Sequence, residues 1–119
     1  MCGIVAIYNN QIKFDKDMRS KSLSMSKKVR HRGPDWSGIY TSDHAILAHE
    51  RLSIVDVKSG KQPIISNNDE IILAVNGEIY NHKLIRKDSK FNYDYKTESD
   101  CEVIIPLYDK IKNMVMVWK

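Results

Sequence analysis

The chain has no run of about 18 apolar residues, the length that a membrane-crossing helix requires, and no charged segment leading into a signal-type apolar stretch with a cleavage site. A cytoplasmic protein that does not engage membranes is expected. Cysteine is scarce: Cys2 and Cys101 are the two in 119 residues, too few for a disulfide framework and in keeping with a reducing compartment. His31, His44 and His49 lack metal-ligand spacing, so no metal site is expected. Internal repeats, low-complexity tracts and linkers are also missing, and residues 1–119 read as one domain or a piece of one. The formal net charge is +4. Part of that excess lies in Lys27-Lys28-Val29-Arg30-His31-Arg32, but no aromatic interleaving or nucleic-acid motif accompanies it, and a solvated helix end accounts for it without a nucleic-acid partner.

What is present is ordinary in bulk. Hydrophobic residues make up 42% and charged residues 29%, and a chain of this size buries about two-thirds of its unfolded surface. The informative stretch is Met1-Cys2-Gly3-Ile4-Val5-Ala6-Ile7-Tyr8. Small residues after Met1 permit its removal. Cys2 would then carry both a thiol and a free α-amine, whose reference pKa of about 7.7–8.0 suits a general base. That is the N-terminal nucleophile arrangement, in which one residue supplies nucleophile and activator together. Gly3, lacking Cβ, would let a substrate approach the backbone. Taken alone, the octet also fits a small buried cysteine opening a strand.

In chain order, Cys2 to Tyr8 is apolar on both faces and predicts a central strand, turned by Asn9-Asn10-Gln11. Met18, Met25 and Val29 then fall at helical spacing, with Asp15 as a start cap, Lys27, Lys28 and Arg30 suited to the negative end of the helix dipole, and Gly33-Pro34 as a stop. Trp36 to Thr41 and His44 to His49 predict a hairpin across Ser42-Asp43, its second strand again central. Lys58 to Pro63 has loop composition, and Asn67-Asn68-Asp69 predicts a turn before a strand Glu70 to Val75. Asn76-Gly77 would ordinarily make a type I′ hairpin turn. The residues after it look helical instead, with Ile79 and Leu84 or Ile85 inward, so the turn is expected to expose its amide groups at a strand end, where a carboxamide and a backbone N–H could serve as oxyanion donors. Ser99 and Glu102 have capping-box spacing. They predict a helix that starts at Asp100, carboxylate outward, and carries Val103, Ile104, Leu107, Tyr108 and Ile111, with a kink or early end at Pro106.

Five blocks in this order resemble the class II glutamine amidotransferase domain of glutamine-hydrolysing asparagine synthetases: Met1-Cys2-Gly3-Ile4, Arg32-Gly33-Pro34-Asp35, Arg51-Leu52-Ser53-Ile54-Val55-Asp56, Asn76-Gly77-Glu78-Ile79-Tyr80-Asn81 and Ser99-Asp100-Cys101-Glu102-Val103-Ile104. The second and fourth blocks favour this branch over the amidotransferases that make phosphoribosylamine or glucosamine phosphate. The resemblance implies an α+β N-terminal nucleophile (Ntn) hydrolase fold, a four-layer αββα sandwich, here incomplete at the C-terminus. It implies glutamine hydrolysis to glutamate and ammonia through a Cys2 thioester, with the ammonia used for ATP-dependent asparagine synthesis from aspartate.

On that resemblance, Asn76 and Gly77 would hold the oxyanion, Arg51 would clamp the α-carboxylate of glutamine, Glu78 and Asp100 would take its ammonium group, and Val55 joins the glutamine-binding set. Taken singly, Arg51 also fits a surface salt bridge, Asp100 a helix N-terminal charge and Glu78 a solvated side chain. The glutaminase half-reaction would need no cofactor. ATP and Mg²⁺ would serve a synthetase domain, absent here, which would be the natural partner; a homodimer is also compatible. The chain ends on the apolar run Met114-Val115-Met116-Val117-Trp118-Lys119 without the family's further strands, and the expectation is therefore a poorly soluble or molten polypeptide. A non-catalytic fragment or binding module, or the amidotransferase domain of a related synthetase, is the competing account.

Overall fold

The computed structural model describes residues 2–53 and 59–115. Strands β1 (Gly3–Tyr8), β2 (Trp36–Thr41) and β3 (Ala45–Arg51) form an antiparallel sheet in the order β1-β3-β2. Helix α1 (Lys16–Val29) packs on one face. A second, two-stranded ribbon pairs β4 (Ile64–Ile65) with β5 (Ile72–Leu73), followed by α2 (His82–Lys87), a 3-10 turn Asp100–Val103 and α3 (Ile104–Val115). The architecture combines helices with antiparallel strands, which is an α+β arrangement.

Register decides which residues share a face. Gly3 lies opposite Glu50 and Val5 opposite Ala48, while Ser37 lies opposite Glu50 from the other side. These residues face α1: a Cβ on Gly3 would stand 2.8 Å from Val29 Cγ2. Alternation sends Ile4, His49 and Gly38 to the opposite face. There a Cβ on Gly38 would stand 1.9 Å from the Gln62 carbonyl oxygen, so the loop before β4 rests on the β2 backbone and only glycine fits.

The expected hairpin and the Asp15 cap are found: Ser42 N–H donates to Ala45 O at 2.8 Å, and Asp15 Oδ1 accepts from Met18 N at 2.8 Å. The structure departs from expectation elsewhere. Among the described residues β3 is central and β1 stands at the edge of the sheet, with Ile4 exposed on its second face; apolar residues on both sides of a strand do not fix its place in the sheet. Met25 of α1 is 47% exposed, and the buried positions are Ser22 and Ser26. The reason is local. Ser26 Oγ donates to Glu50 Oε1 at 2.6 Å and Ser37 Oγ of β2 donates to Glu50 Oε2, so one hydroxyl from the helix and one from the sheet satisfy a buried carboxylate, a group that is costly to bury unpaired.

Of the strand expected at Glu70 to Val75, only Ile72–Leu73 is paired, with Ile64–Ile65, a segment to which no strand was assigned. Ser66 Oγ accepts from Ile71 N at 3.0 Å and Asn68 Oδ1 from Glu70 N at 3.3 Å, which diverts the preceding amides into the turn. Of the two inward candidates in α2, Ile85 is half-buried and Leu84 is exposed. Pro106 is the third residue of α3, in the first turn, where the missing N–H would have no intrahelical partner; the helix runs on to Val115. Its buried positions include Ile105 and Pro106, while Tyr108 and Ile111 are exposed. The side chains from residue 113 onward, and with them the apolar terminal run, lie outside the described residues.

The Gly38 contact is with backbone, which cannot rotate away. Gly38→Ala is expected to destabilise the chain by about 2 kcal/mol or more, at the upper end of typical overpacking costs. A fall in the urea midpoint at constant m-value would register this; an unchanged midpoint would mean that the loop is not seated on β2.

Candidate functional site

Cys2 precedes β1 by one residue, so the alternation that turns Gly3 toward α1 turns Cys2 to the other face, with Arg51 at the matching end of β3. Three segments hold it. Cys2 N donates to Asn76 Oδ1 at 3.0 Å, Leu52 N donates to Cys2 Sγ at 3.3 Å, and Arg32 Nε donates to Cys2 O at 3.3 Å. A backbone N–H can only donate, so the limb of Asn76 facing Cys2 is its oxygen and Nδ2 is the opposite limb. Arg32 belongs to the basic cluster Lys27 to Arg32, and no rule of spacing joins it to Cys2.

Cys2, Arg51, Asn76, Gly77, Glu78 and Asp100 line one cavity of about 310 Å³, at the small end of the range of about 300–1,000 Å³ for small-molecule sites. Val55, the remaining expected site residue, lies outside the described residues. Arg51 is 5% and Asp100 8% exposed, which disposes of a surface salt bridge for the first and an outward carboxylate for the second. Asp100 Oδ2 accepts from Ile79 N at 2.6 Å, and this long-range bond draws the carboxylate inward. Glu78 is exposed at the rim.

The expected capping box is replaced by a different device. Ser99 makes no side-chain cap, and the fully buried Glu102 accepts from Lys96 N and Thr97 N, both at 2.8 Å, and from Thr97 Oγ1 at 2.7 Å. Arg86 Nη2 donates to Thr97 O at 2.8 Å and Ser99 O at 2.7 Å, 3.9 Å from Glu102 Oε2. This cluster fixes the approach to Asp100. Gln62, Tyr80, Ser99 and Cys101 also line the cavity. None was singled out in advance as a site residue, since each reaches the cavity through tertiary packing.

The two thiols differ. Cys101 is buried and its Sγ donates to Gly77 O at 3.4 Å. Burial foremost, and then the Asp100 carboxylate, pushes its pKa up to about 12. It is therefore a neutral donor at physiological pH, because the thiolate is the reactive form.

Residues 1–116 match the family model described as the glutamine amidotransferase domain. The chain is 54% identical over 92% of its length to asparagine synthetase B [glutamine-hydrolyzing] of Escherichia coli (strain K12), covering 20% of that protein. It is 50% identical over 92% of its length to a probable asparagine synthetase of Dictyostelium discoideum, covering 20%, and 51% identical over 91% to one of Schizosaccharomyces pombe, covering 19%. The chain thus spans about a fifth of the length of the curated relatives it matches.

The contrast between the thiols can be measured. At pH 8 iodoacetamide should modify Cys2 in the native chain and leave Cys101 intact, whose thiolate fraction is on the order of 10⁻⁴; in urea both should react. Peptide mapping that found Cys101 alkylated as fast as Cys2 in the native state would contradict its placement.

Proposed function

The chain belongs to the glutamine amidotransferase domain family, and on that premise we propose that it hydrolyses glutamine to glutamate and ammonia with Cys2 as nucleophile. With Met1 removed, the Cys2 α-amine takes the thiol proton as Sγ attacks the side-chain amide carbon. Asn76 Nδ2 and Gly77 N–H receive the oxyanion. Collapse of the tetrahedral intermediate breaks the C–N bond, the protonated amine returns the proton to the leaving nitrogen, and ammonia departs from a γ-glutamyl thioester. Water, deprotonated by the same amine, then attacks the thioester; Cys2 leaves and glutamate is formed. Arg51 clamps the substrate carboxylate with its planar guanidinium, Asp100 and Glu78 take the ammonium, and Val55 completes the glutamine-binding set.

The observation that carries this reading is the bond from Cys2 N to Asn76 Oδ1 at the wall of a cavity that also holds a buried cation and a buried anion, Arg51 and Asp100. It supports a site in which nucleophile and oxyanion donor are held by each other. We read residues 1–119 as the N-terminal part of a type 2 amidotransferase domain of the four-layer αββα Ntn class. Its partner is a synthetase portion that uses ATP and Mg²⁺ to make asparagine from aspartate with the released ammonia, in the cytoplasm, and that assembly can be a homodimer. The half-reaction proposed for this chain draws on its side chains and water.

A second reading, binding with little turnover by the chain alone, is favoured by the exposed apolar residues Ile4, Tyr108 and Ile111. A glutamine analogue with a diazoketone in place of the amide separates the two, because it scores site formation without turnover. The chain lacking Met1 should acquire one covalent adduct on Cys2, while Cys2→Ala and a form retaining Met1 should acquire none. In a synthetase carrying this chain, Cys2→Ala should abolish glutamine-dependent synthesis and spare synthesis from ammonia. Adduct formation without glutamate release would select the second reading, and glutaminase turnover persisting in Cys2→Ala would sink the first.

Substrate recognition has its own signature. Arg51→Ala and Asp100→Ala should each raise the half-saturating concentration of the analogue about tenfold or more, since a hydrogen bond to a charged group contributes about 1.5–3 kcal/mol. Saturation curves unchanged in both variants would mark these as structural charges.

A further inference from the structure

We infer that His49 and Gln62 are positioning residues for the oxyanion donors, gripping the two backbone groups of the residue immediately before Asn76. This inference rests on the reading of Asn76 and Gly77 as those donors. Val75 N donates to Gln62 Oε1 at 2.7 Å, and Val75 O lies 2.9 Å from His49 Nε2. A carbonyl oxygen can only accept, so Nε2 carries the proton. His49 is fully buried, and its Nδ1 has no partner among the described residues, which makes the ring a neutral donor at Nε2; burial lowers its pKa in keeping with this.

Both residues are themselves fixed by the sheet. His49 is in central strand β3 opposite Gly38 of β2, and Gly38 is the position on which the Gln62 backbone rests. The register that seats Gln62 on the sheet therefore brings it beside His49. The β4–β5 ladder includes Leu73 as its last β5 residue. Two residues further on, side chains take the roles of a neighbouring strand: Gln62 accepts from the Val75 amide, and His49 donates to the Val75 carbonyl, which fixes the plane of the Val75–Asn76 peptide. Beyond it, Cys101 Sγ donates to Gly77 O at 3.4 Å and Asp100 Oδ2 accepts from Ile79 N at 2.6 Å. The donor segment is thus suspended between side chains, and the clamp on Val75 is its upstream anchor.

A residue that merely fills the core would weaken everything together; a positioning residue should slow the chemical step and leave binding alone. The test is diazoketone labelling of Cys2 in the full chain lacking Met1, resolved into maximal rate and half-saturating concentration. His49→Ala and Gln62→Leu should each lower the maximal rate about tenfold or more, given that small misplacements in a site cost up to about 10²-fold, with half-saturation nearly unchanged. His49→Gln, whose carboxamide can still donate toward Val75 O, should recover most of the rate. Amide hydrogen exchange at Asn76 and Gly77 should quicken in His49→Ala and Gln62→Leu. Should His49→Ala fail to fold, Gln62→Leu and His49→Gln carry the comparison. Asn76→Ala serves as the reference: if it leaves the maximal rate intact, or if the unaltered chain is not labelled, the oxyanion reading itself fails. If Asn76→Ala is slow while Gln62→Leu matches the unaltered chain in rate and exchange, the clamp is overturned. A rise in half-saturation alone would likewise overturn it.

Discussion

A slip of one residue between β1 and β3 would turn Cys2 toward α1 and put Gly3 at the cavity wall, because side chains alternate with a period of two. The register is held against such a slip by steric and polar constraints together. Gly3 is the one β1 residue at which Val29 approaches closer than a Cβ allows, and the Glu50 opposite it is bonded by Ser26 from α1 and by Ser37 from β2. A slipped strand would press a side chain into α1. The buried carboxylate, meanwhile, ties helix, central strand and second edge together at the same level. Cys2 and Arg51 owe their common face to this arrangement, and the cavity follows from it.

The same logic explains why backbone amides remain near the cavity. A full strand from Glu70 to Val75 would spend its N–H and C=O groups on a ladder, since buried backbone groups are almost always paired. The short β5 leaves Ala74 and Val75, next to Asn76 and Gly77, beyond the ladder, and side chains from β3, from the loop before β4 and from the Asp100 turn hold the segment instead. Such a segment is only as well placed as the side chains that carry it. That is why the fully buried Glu102, which follows the cavity-lining Cys101 without lining the cavity itself, matters: through Lys96 and Thr97 it fixes the segment that leads into Ser99 and Asp100.

Local rules read the fold well where the partners are local. The hairpin across Ser42-Asp43 and the Asp15 cap involve residues within a few positions of one another, and both were legible. The capping box of Ser99 and Glu102 was just as local in spacing yet did not form, because Glu102 found better donors in a segment that precedes it. Pro106 misled for the opposite reason: where the α-helix begins depends on the 3-10 turn before it, which spacing does not reveal. Met25 is exposed while Ser22 and Ser26 are buried, and Ser26 bonds a carboxylate 24 residues further along the chain. The site residues were named from a resemblance, and the roles of His49, Gln62 and Arg32 depend on contacts at sequence separations that periodicity cannot reach.

Burying Arg51 and Asp100 is hard to explain as a contribution to stability. Removing charges from water carries a penalty that their mutual attraction often fails to recover, and apolar residues of similar size frequently serve a core better. Glu50 and Glu102 answer that objection, since each sits among donors that tie separate elements together. Asp100 also accepts from Ile79 N, but it and Arg51 differ from those two in lining the cavity beside the thiol of Cys2. A cation and an anion kept at low exposure on the wall of one small cavity form a polar frame of fixed geometry, and low dielectric strengthens whatever they meet there. On the proposed function, that frame would take the carboxylate and the ammonium of an amino acid, whose side chain would extend toward the sulfur. On that reading part of the cost of the two charges is offset only by a bound ligand, a division that selection for stability alone would not favour.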